Sequence, residues 1–175
     1  KPLIVHTLLA FQNSEDVDEI VVVAKKEELA SYEFFKNEYK LSKIVSIVEG
    51  GATRQHSVKN GFEAISSAAD YVAIHDGARA LITKEQIKSV VMGALAHGAA
   101  IAATKAVDTI KYSEGVMIEQ TVPREHVWLA QTPQVFRDEI YRAAVYTAEK
   151  EGFVGTDDAS LVEHIGIPVY LVDTG

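Results

Sequence analysis

The stretch IVSIVEGGATRQHSV, residues 44–58, is the most informative segment of this chain. An apolar run ends abruptly at Gly50 and Gly51, and a helical pattern opens within a few residues. Paired glycines keep side chains away from a strand-to-helix turn, so a flat or anionic ligand can approach the backbone. Arg54 can pair with a phosphate or a carboxylate, and Ser57 can cap the helix or bond the ligand. Taken alone, the stretch is better explained as a glycine turn followed by a helix cap.

A second polar loop favours a ligand site over that simpler explanation. The apolar run Tyr71–Ile74 continues into the sequence HDGAR, residues 75–79. Asp76 can bind a sugar hydroxyl or help to hold a metal ion through phosphate, and Gly77 leaves space for a ribose. A helix-capping Asp76 paired with Arg79 is an equally good interpretation, and His75 is expected to be structural. Two such loops at the ends of buried strands predict a nucleotide or phosphate site.

Continuous apolar runs predict the architecture. Such runs, without alternation, are typical of parallel strands covered on both faces. Helical patterns separate them, so we expect an α/β fold with a Rossmann-like, doubly wound, mostly parallel sheet. Ligands of such sheets bind beyond the carboxyl ends of the strands, where both polar loops fall. The predicted strands are 20–24, 44–48, 71–74, 100–103 and 168–172, and the predicted helices are 3–13, 26–39, 57–68, 83–97 and 137–150.

Residues 107–124 interrupt this alternation. Two strand-like segments, Val107–Tyr112 and Val116–Val122, flank a turn that contains Gly115, which predicts an inserted β-hairpin arm. An isolated hairpin is marginally stable in water, so the arm should pack against something. The arm is either an ordinary surface flap or a contact to a second subunit. We expect the second, a homodimer with C₂ symmetry.

Two further polar groups are candidates for substrate contacts. Arg124 and the segment Gln131–Gln134, interpreted as a rigid loop around a proline, suit hydroxyl and phosphate groups; a simple turn before a helix is the alternative. Trp128 is expected to lie in the core. In the segment 156–158, Thr156 or Asp157 should cap the following helix, and acids in its first turn complement the helix dipole. We favour a cap over direct Mg²⁺ ligation. We therefore assign no residue as a metal ligand.

Composition narrows the function classes. The 175 residues, 47% hydrophobic and 24% charged, are typical of one soluble globular domain over residues 1–175. The net charge of -8 argues against nucleic-acid binding, although Arg54, Arg79 and Arg124 can still hold a small anion. The absence of cysteine excludes disulfides and fits a cytoplasmic location. No apolar run approaches the roughly 18 residues of a membrane span.

The motifs, taken in chain order, resemble those of the 2-C-methyl-D-erythritol 4-phosphate cytidylyltransferase family of the non-mevalonate isoprenoid pathway. Each motif is short, but their order along nearly the whole chain makes the resemblance specific. The matching segments are 1–4 with His6 and Thr7, Gly50–Gly51 with Arg54 and Ser57–Val58, 75–79, 107–111, 131–134 with Phe136, and 156–160.

The resemblance implies a fold of the nucleotide-diphospho-sugar transferase type and a reaction of CTP with methylerythritol phosphate that gives a CDP-alcohol and pyrophosphate. Mg²⁺ would be bound mainly through the nucleotide phosphates, and the arm would form a homodimer. The implied nucleotide-binding residues are Gly50, Gly51, Ala52, Arg54, Ser57, Asp76 and Gly77. The implied substrate-binding residues are Arg79, Thr109, Arg124, Thr132 and Thr156, of which Thr109 and Arg124 would reach the partner subunit's site. Asp76 and Arg79 are the implied catalytic residues.

The chain departs from the family pattern at three places. Acidic residues are common in the family where Ala52 and Thr53 stand, so one side-chain contact to the base is expected to be missing. Residues 77–80 read GARA where the family usually has Ala-Ala-Arg-Pro. The family also has a glycine-rich loop with an arginine and a lysine before the position of Lys1, and a further lysine beyond that of Gly175. We expect both segments in a longer, full-length protein.

Two alternative functions stay open at this point. A ribitol 5-phosphate cytidylyltransferase shares the Gly-Gly, His-Asp and Gln-Thr-Pro-Gln elements. Trp128 and the segment 156–160 fit the erythritol enzyme better, so we favour it. A non-catalytic nucleotide-binding homologue is the alternative from another class.

Overall fold

The computed structural model describes all 175 residues, Lys1–Gly175. Helices and strands alternate along the chain, which confirms the predicted α/β class. The helices are α1 (Leu3–Gln12), α2 (Leu29–Glu38), α3 (Arg54–Glu63), α4 (Lys84–His97), α5 (Asp138–Glu151) and α6 (Asp158–His164). The strands are β1 (Ile20–Ala24), β2 (Ile44–Glu49), β3 (Tyr71–Ile74), β4 (Ala99–Lys105), β5 (Ile110–Tyr112), β6 (Gln120–Val122), β7 (Trp128–Arg137) and β8 (Tyr170–Asp173). None of the helices could span a membrane.

The sheet contains one strand that the sequence did not predict. In the order β3-β7-β4-β8, β7 pairs antiparallel with both β3 and β4, whereas β8 pairs parallel with β4. The predicted loop at Gln131–Gln134 is therefore wrong, because these residues lie inside β7. Ile101 pairs with Gln134 and Ala103 with Ala130, so residues 131–133 form a bulge in the ladder. Because the bulge is polar and contains a proline, the sequence pattern at this point is not typical of a strand. The bulge also turns side chains out of the ladder.

Helices cover both faces of the sheet, as the continuous apolar strands predict. Alternate residues of β4 belong to different cores: Ala99 and Ile101 pack towards α3, α5 and α6, whereas Ala100 and Ala102 pack towards α4. A third cluster joins α1 and α2 to the parallel pair β1–β2. Because both faces of β4 are buried, its seven residues need no polar alternation.

Local capping explains where the helices begin and end. Thr83 forms a capping box with Gln86 at the start of α4, as its position predicts, and Gly98 ends that helix with φ of 86°. Helix α3 starts earlier than predicted, at Arg54, because the Thr53 side chain accepts from the backbone N–H of His56. Ser57 therefore lies in the first turn of α3 and does not cap it.

The hairpin arm is present but shorter than predicted. Strands β5 and β6 pair antiparallel over only three residues each, and the connection is longer than a tight turn. Three apolar side chains of the arm are largely exposed: Val116 at 100%, Met117 at 77% and Ile118 at 65%. The arm thus leaves apolar surface uncovered.

A cleft of about 1340 Å³ separates β1 from β3. The two strands line opposite sides of it but do not pair with each other, and β1–β2 forms a sheet of its own. Side chains of α1, α3 and α4 line the cleft as well, among them Phe11, Phe62 and Leu95. The loops after β2 and β3 also border this cleft.

Candidate functional site

Two adjoining cavities collect most of the residues that the sequence singles out. A polar pocket of about 300 Å³ is lined by Arg54, Asp76, Arg79, Ala130, Gln131, Thr132, Gln134, Thr156 and Asp157. The cleft between β1 and β3 is lined by the other predicted nucleotide contacts, Gly50, Gly51, Ala52, Ser57 and Gly77. Arg54 and Asp76 line both cavities and so mark the boundary where they meet.

The glycine turn between β2 and α3 is tight on the side of the helix. The Gly51 backbone N–H donates to Ser57 Oγ over 3.0 Å, and the Gly50 N–H donates to the Ala24 carbonyl over 2.9 Å. A Cβ added at Gly51 would lie 2.5 Å from the His56 Cβ, and one at Gly50 would lie 2.9 Å from Ser57 Oγ. Space therefore excludes a side chain at Gly51, whereas one at Gly50 would displace the Ser57 hydroxyl. The turn presents backbone to the cleft, as the sequence predicts.

The loop after β3 is fixed by α1 and by an ion pair. The Thr7 hydroxyl donates to the Gly77 carbonyl over 2.7 Å, and a Cβ at Gly77 would lie 2.7 Å from the Ile4 Cδ1. Arg79 Nε lies 3.1 Å from Asp76 Oδ2, with both side chains about 40% exposed (43% and 42%). The ion pair anticipated between Asp76 and Arg79 thus exists, and both members also line the polar pocket.

Thr132 connects the β7 bulge to the loop after β3. Its Oγ1 accepts from the Asp76 backbone N–H over 3.1 Å and lies 3.1 Å from His75 Nδ1. The Arg79 carbonyl, 3.2 Å from Nε2, can only accept, so Nε2 carries the ring proton and Nδ1 of the neutral ring accepts from the Thr132 hydroxyl. Burial lowers the pKa of His75 below its ordinary value of 6.5, which favours this neutral tautomer. His75 is therefore the structural residue that the sequence predicts.

The residues at the start of α6 line the polar pocket. Asp157 caps the helix by accepting from the Ser160 N–H over 2.9 Å, in agreement with the predicted cap. The buried Gln134 donates to Asp157 Oδ2 over 2.8 Å and accepts from the Ala159 N–H over 2.9 Å. These bonds tie the β7 bulge to α6 and place Thr156 at the pocket.

Asp158 lines neither cavity, but it pairs with Arg54, and the sequence analysis missed this pairing. It is 1% exposed, and its Oδ2 lies 2.7 Å from Arg54 Nη2. Partial burial opposes the charge on Arg54, but the attraction and hydrogen bond of Asp158 outweigh it, so the pKa of Arg54 rises. The two residues are 104 positions apart, and no local pattern signals their pairing.

Thr109 and Arg124 line neither the polar pocket nor the cleft. Both are exposed at the base of the arm, and Arg124 donates to the Val107 carbonyl.

Trp128, expected in the core, is only half-buried at the start of β7, with Lys105 Nζ 5.4 Å from its ring centre. No group of three or more His, Cys, Asp or Glu side chains comes together as a potential metal cage.

Sequence comparison identifies relatives over the whole chain. A profile of the family described as 2-C-methyl-D-erythritol 4-phosphate cytidylyltransferase matches residues 1–175. The 2-C-methyl-D-erythritol 4-phosphate cytidylyltransferase of Geobacillus thermodenitrificans is 42% identical over 173 residues, which cover 99% of this chain and 75% of that protein. The protein of the same name from Geotalea uraniireducens is 45% identical over 175 residues, covering 98% of this chain and 75% of the relative.

Solved structures share the fold. The 4-diphosphocytidyl-2C-methyl-D-erythritol synthase of Anaerococcus prevotii superposes with a TM-score of 0.91 at 26% identity, covering 99% of this chain and 77% of that one. The 2-C-methyl-D-erythritol 4-phosphate cytidylyltransferase of Thermus thermophilus has a TM-score of 0.78 at 34% identity and covers 98% and 77%. Because the family profile matches the whole chain and these relatives are more than 40% identical to it, this chain belongs to the 2-C-methyl-D-erythritol 4-phosphate cytidylyltransferase family.

Proposed function

We propose that the full-length protein transfers the cytidylyl group of CTP to 2-C-methyl-D-erythritol 4-phosphate. The products are 4-diphosphocytidyl-2-C-methyl-D-erythritol, an isoprenoid precursor, and pyrophosphate. Family membership supports this reaction. The observation that carries it is the pair of adjoining cavities with Arg54 and Asp76 on their boundary. A transfer between two substrates needs two sites that meet where the reacting atoms lie.

The polar pocket suits the polyol phosphate. It contains two guanidinium groups, Arg54 and Arg79, together with the hydroxyl groups of Thr132 and Thr156. Guanidinium groups bind phosphate through paired hydrogen bonds, and hydroxyl groups can bond a polyol. The ion pair of Arg79 with Asp76 leaves part of the Arg79 guanidinium free to contact a phosphate.

The cleft suits the nucleotide. Gly50 and Gly51 keep side chains away from this part of the cleft, Ser57 Oγ lies at the same turn, and Gly77 leaves room beside Asp76. Asp76 would accept from a ribose hydroxyl. With alanine at position 52, the base would be bound without an acidic side chain there.

The chemistry is an in-line displacement without a covalent intermediate. An oxygen of the polyol phosphate attacks the α-phosphorus of CTP. The new P–O bond forms as the bond from phosphorus to the bridging oxygen of the β-phosphate breaks, and pyrophosphate leaves with that electron pair. Arg54 and Arg79 contribute by orienting the nucleophilic phosphate and neutralising its charge.

The residues present fit a magnesium ion that arrives with the nucleotide. Mg²⁺ is usually held by one or two carboxylates together with substrate phosphates. Asp76 is the carboxylate on the boundary of the cavities and would hold the ion there. When bound, Mg²⁺ supplies charge neutralisation on the phosphates of CTP.

The cytoplasmic location stays a prediction.

We also propose a homodimer formed through the arm. The exposed apolar side chains of Val116, Met117 and Ile118 support an apolar contact that one subunit does not provide. Thr109 and Arg124, at the two ends of the arm, line neither cavity of their own subunit. In a C₂ dimer they can contribute to the partner's polar pocket.

The reaction is tested with the full-length protein by following pyrophosphate release from CTP in the presence of Mg²⁺. We expect release with 2-C-methyl-D-erythritol 4-phosphate and little with ribitol 5-phosphate under the same conditions. Release with ribitol 5-phosphate alone would reassign the substrate. No release with either polyol phosphate would refute the transferase function.

The dimer is tested by light scattering together with turnover. Deleting Tyr112–Gln120 should give a monomer with little activity, because the arm supplies both the contact and the polar groups at its ends. Val116→Asp, a milder change at a fully exposed position, should weaken the dimer as well. Met92→Asp, on the exposed side of α4, is the matched control and should leave both properties unchanged. A dimeric deletion variant, or a fully active monomer, would contradict the shared site.

A further inference from the structure

Arg54 occupies an unusual position among the cations of the site. It is the first residue of α3, and its side chain is 45% exposed at the boundary of the two cavities. Only Nη2 is engaged by Asp158. A guanidinium group has five N–H donors, so most of its hydrogen-bonding capacity is free to face a ligand.

Asp158 is almost completely buried, unlike the carboxylate of an ordinary surface ion pair. Both carboxylate oxygens have a partner: Oδ2 accepts from Arg54 over 2.7 Å, and Oδ1 accepts from the Tyr141 hydroxyl over 2.6 Å. A buried carboxylate is costly unless it is paired and hydrogen-bonded. Arg54 is the cation that pairs with it, so the charge of Asp158 holds the guanidinium in one direction.

Tyr141 anchors this carboxylate to the core. It is 1% exposed, and its ring lies 5.3 Å from that of Phe136 in a stacked arrangement and 5.1 Å from that of Phe62 in an edge arrangement. Burial and the neighbouring Asp158 raise the pKa of Tyr141 far above its ordinary value, so the hydroxyl remains a donor. The packed core thus fixes Tyr141, which fixes Asp158, which in turn fixes Arg54.

We infer that Tyr141 and Asp158 are positioning residues for Arg54, and that Arg54 binds a substrate phosphate where the two cavities meet. This inference rests on the proposed cytidylyl transfer. The planar guanidinium recognises phosphate by direction as well as charge, so its orientation decides the strength of the contact. A displacement of about 1 Å in such a group can reduce the rate on the order of a hundredfold.

The first test compares substitutions of Asp158 and Tyr141, the residues that hold Arg54, while Arg54 itself stays in place. Asp158→Asn keeps the size of the side chain but removes its charge, and should raise the KM for methylerythritol phosphate about tenfold or more. Tyr141→Phe removes one hydrogen bond and should raise it by a smaller factor, about threefold. Asp138→Asn and Tyr146→Phe are the matched controls, because they break exposed contacts to Arg142 and Glu63. Both controls should keep the KM of the unsubstituted protein.

A double-substitution cycle separates positioning from stability. If Asp158 acts through Arg54, then Asp158→Asn should raise the KM no further in a protein that already carries Arg54→Gln. Equal effects in the two backgrounds would overturn the inference. So would a lower melting temperature for Asp158→Asn with an unchanged KM, which is the result expected of a purely structural ion pair.

Calorimetry with inorganic phosphate makes the test independent of turnover. The unsubstituted protein should bind phosphate, and Asp158→Asn should bind it about tenfold more weakly. A weakened phosphate affinity in a protein that releases no pyrophosphate would support the positioning role and refute the transferase function. An unchanged affinity in an active enzyme would overturn the positioning role alone.

Discussion

Replacing Thr132 by valine should disconnect the β7 bulge from the loop that carries Asp76 and Arg79. Valine has nearly the shape of threonine, so the 6%-exposed site stays filled, but the hydroxyl is lost. Two groups then lack a partner, the Asp76 backbone N–H and His75 Nδ1. Threonine-to-valine is for this reason a hydrogen-bond substitution and not a packing one.

The magnitude follows from those two groups. A buried polar group without a partner costs about 1–3 kcal/mol. Water can reach part of this half-buried loop, so we expect a total loss of about 2–3 kcal/mol in the free energy of unfolding. Thr132→Ser is the control, since it keeps the hydroxyl and should cost only about 1 kcal/mol for the missing methyl group.

The assay is urea unfolding of the full-length protein, followed through the fluorescence of Trp128, which lies at the start of the same strand. Pyrophosphate release on the same samples should show that valine reduces activity more than serine does. A serine variant less stable than the valine variant would refute the reasoning, because it would make the methyl group more important than the two hydrogen bonds.

Three further predictions concern single residues. Arg79→Ala should raise the KM for the polyol phosphate by tens to hundreds of fold, because it removes a charge-assisted contact of about 2–3 kcal/mol, while the affinity for CTP changes little. Steady-state kinetics measure both effects. The control is Arg137→Ala, which removes a similarly exposed arginine outside the pocket. Burial lowers the pKa of His75, so the unfolded chain binds its proton at higher pH than the folded protein. The free energy of unfolding should therefore fall as the pH drops below about 6.5, and His75→Gln should remove that part of the urea-unfolding profile. Gly51→Ala should reduce CTP affinity in calorimetry because its Cβ would collide with α3, whereas Gly115→Ala, with no atom within 4 Å, should not.

Local sequence patterns predicted much of the fold. The continuous apolar runs gave β1 and β3 with the observed bounds, and Thr83 marked the start of α4 through its capping box. Strand β7 was missed because its bulge places Gln131, Thr132 and Pro133 in the middle of a buried strand. The apolar pair Val135–Phe136, placed directly before α5, was the available signal for a buried strand.

The candidate site divides in the same way. Residues on the loops after β2 and β3 were predictable because strand ends of an α/β sheet converge at one edge. The pairing of Arg54 with Asp158 was not, since a contact across 104 positions depends on how α3 and α6 pack on the sheet. Asp158 was predicted only to lie in the first turn of its helix, where an acid complements the helix dipole. That position does not indicate that the side chain is buried.

The cleft between β1 and β3 is bordered by two unpaired strand edges. Each of these strands presents one edge whose backbone N–H and C=O groups have no strand partner. Such an edge is a template for another extended segment. Any polypeptide that lies along the cleft in this way would join the two sheets and would also become a wall of the cavity beside the glycine turn. Continuity of the sheet and closure of the cleft are therefore coupled, and a preparation with both edges uncovered is prone to self-association.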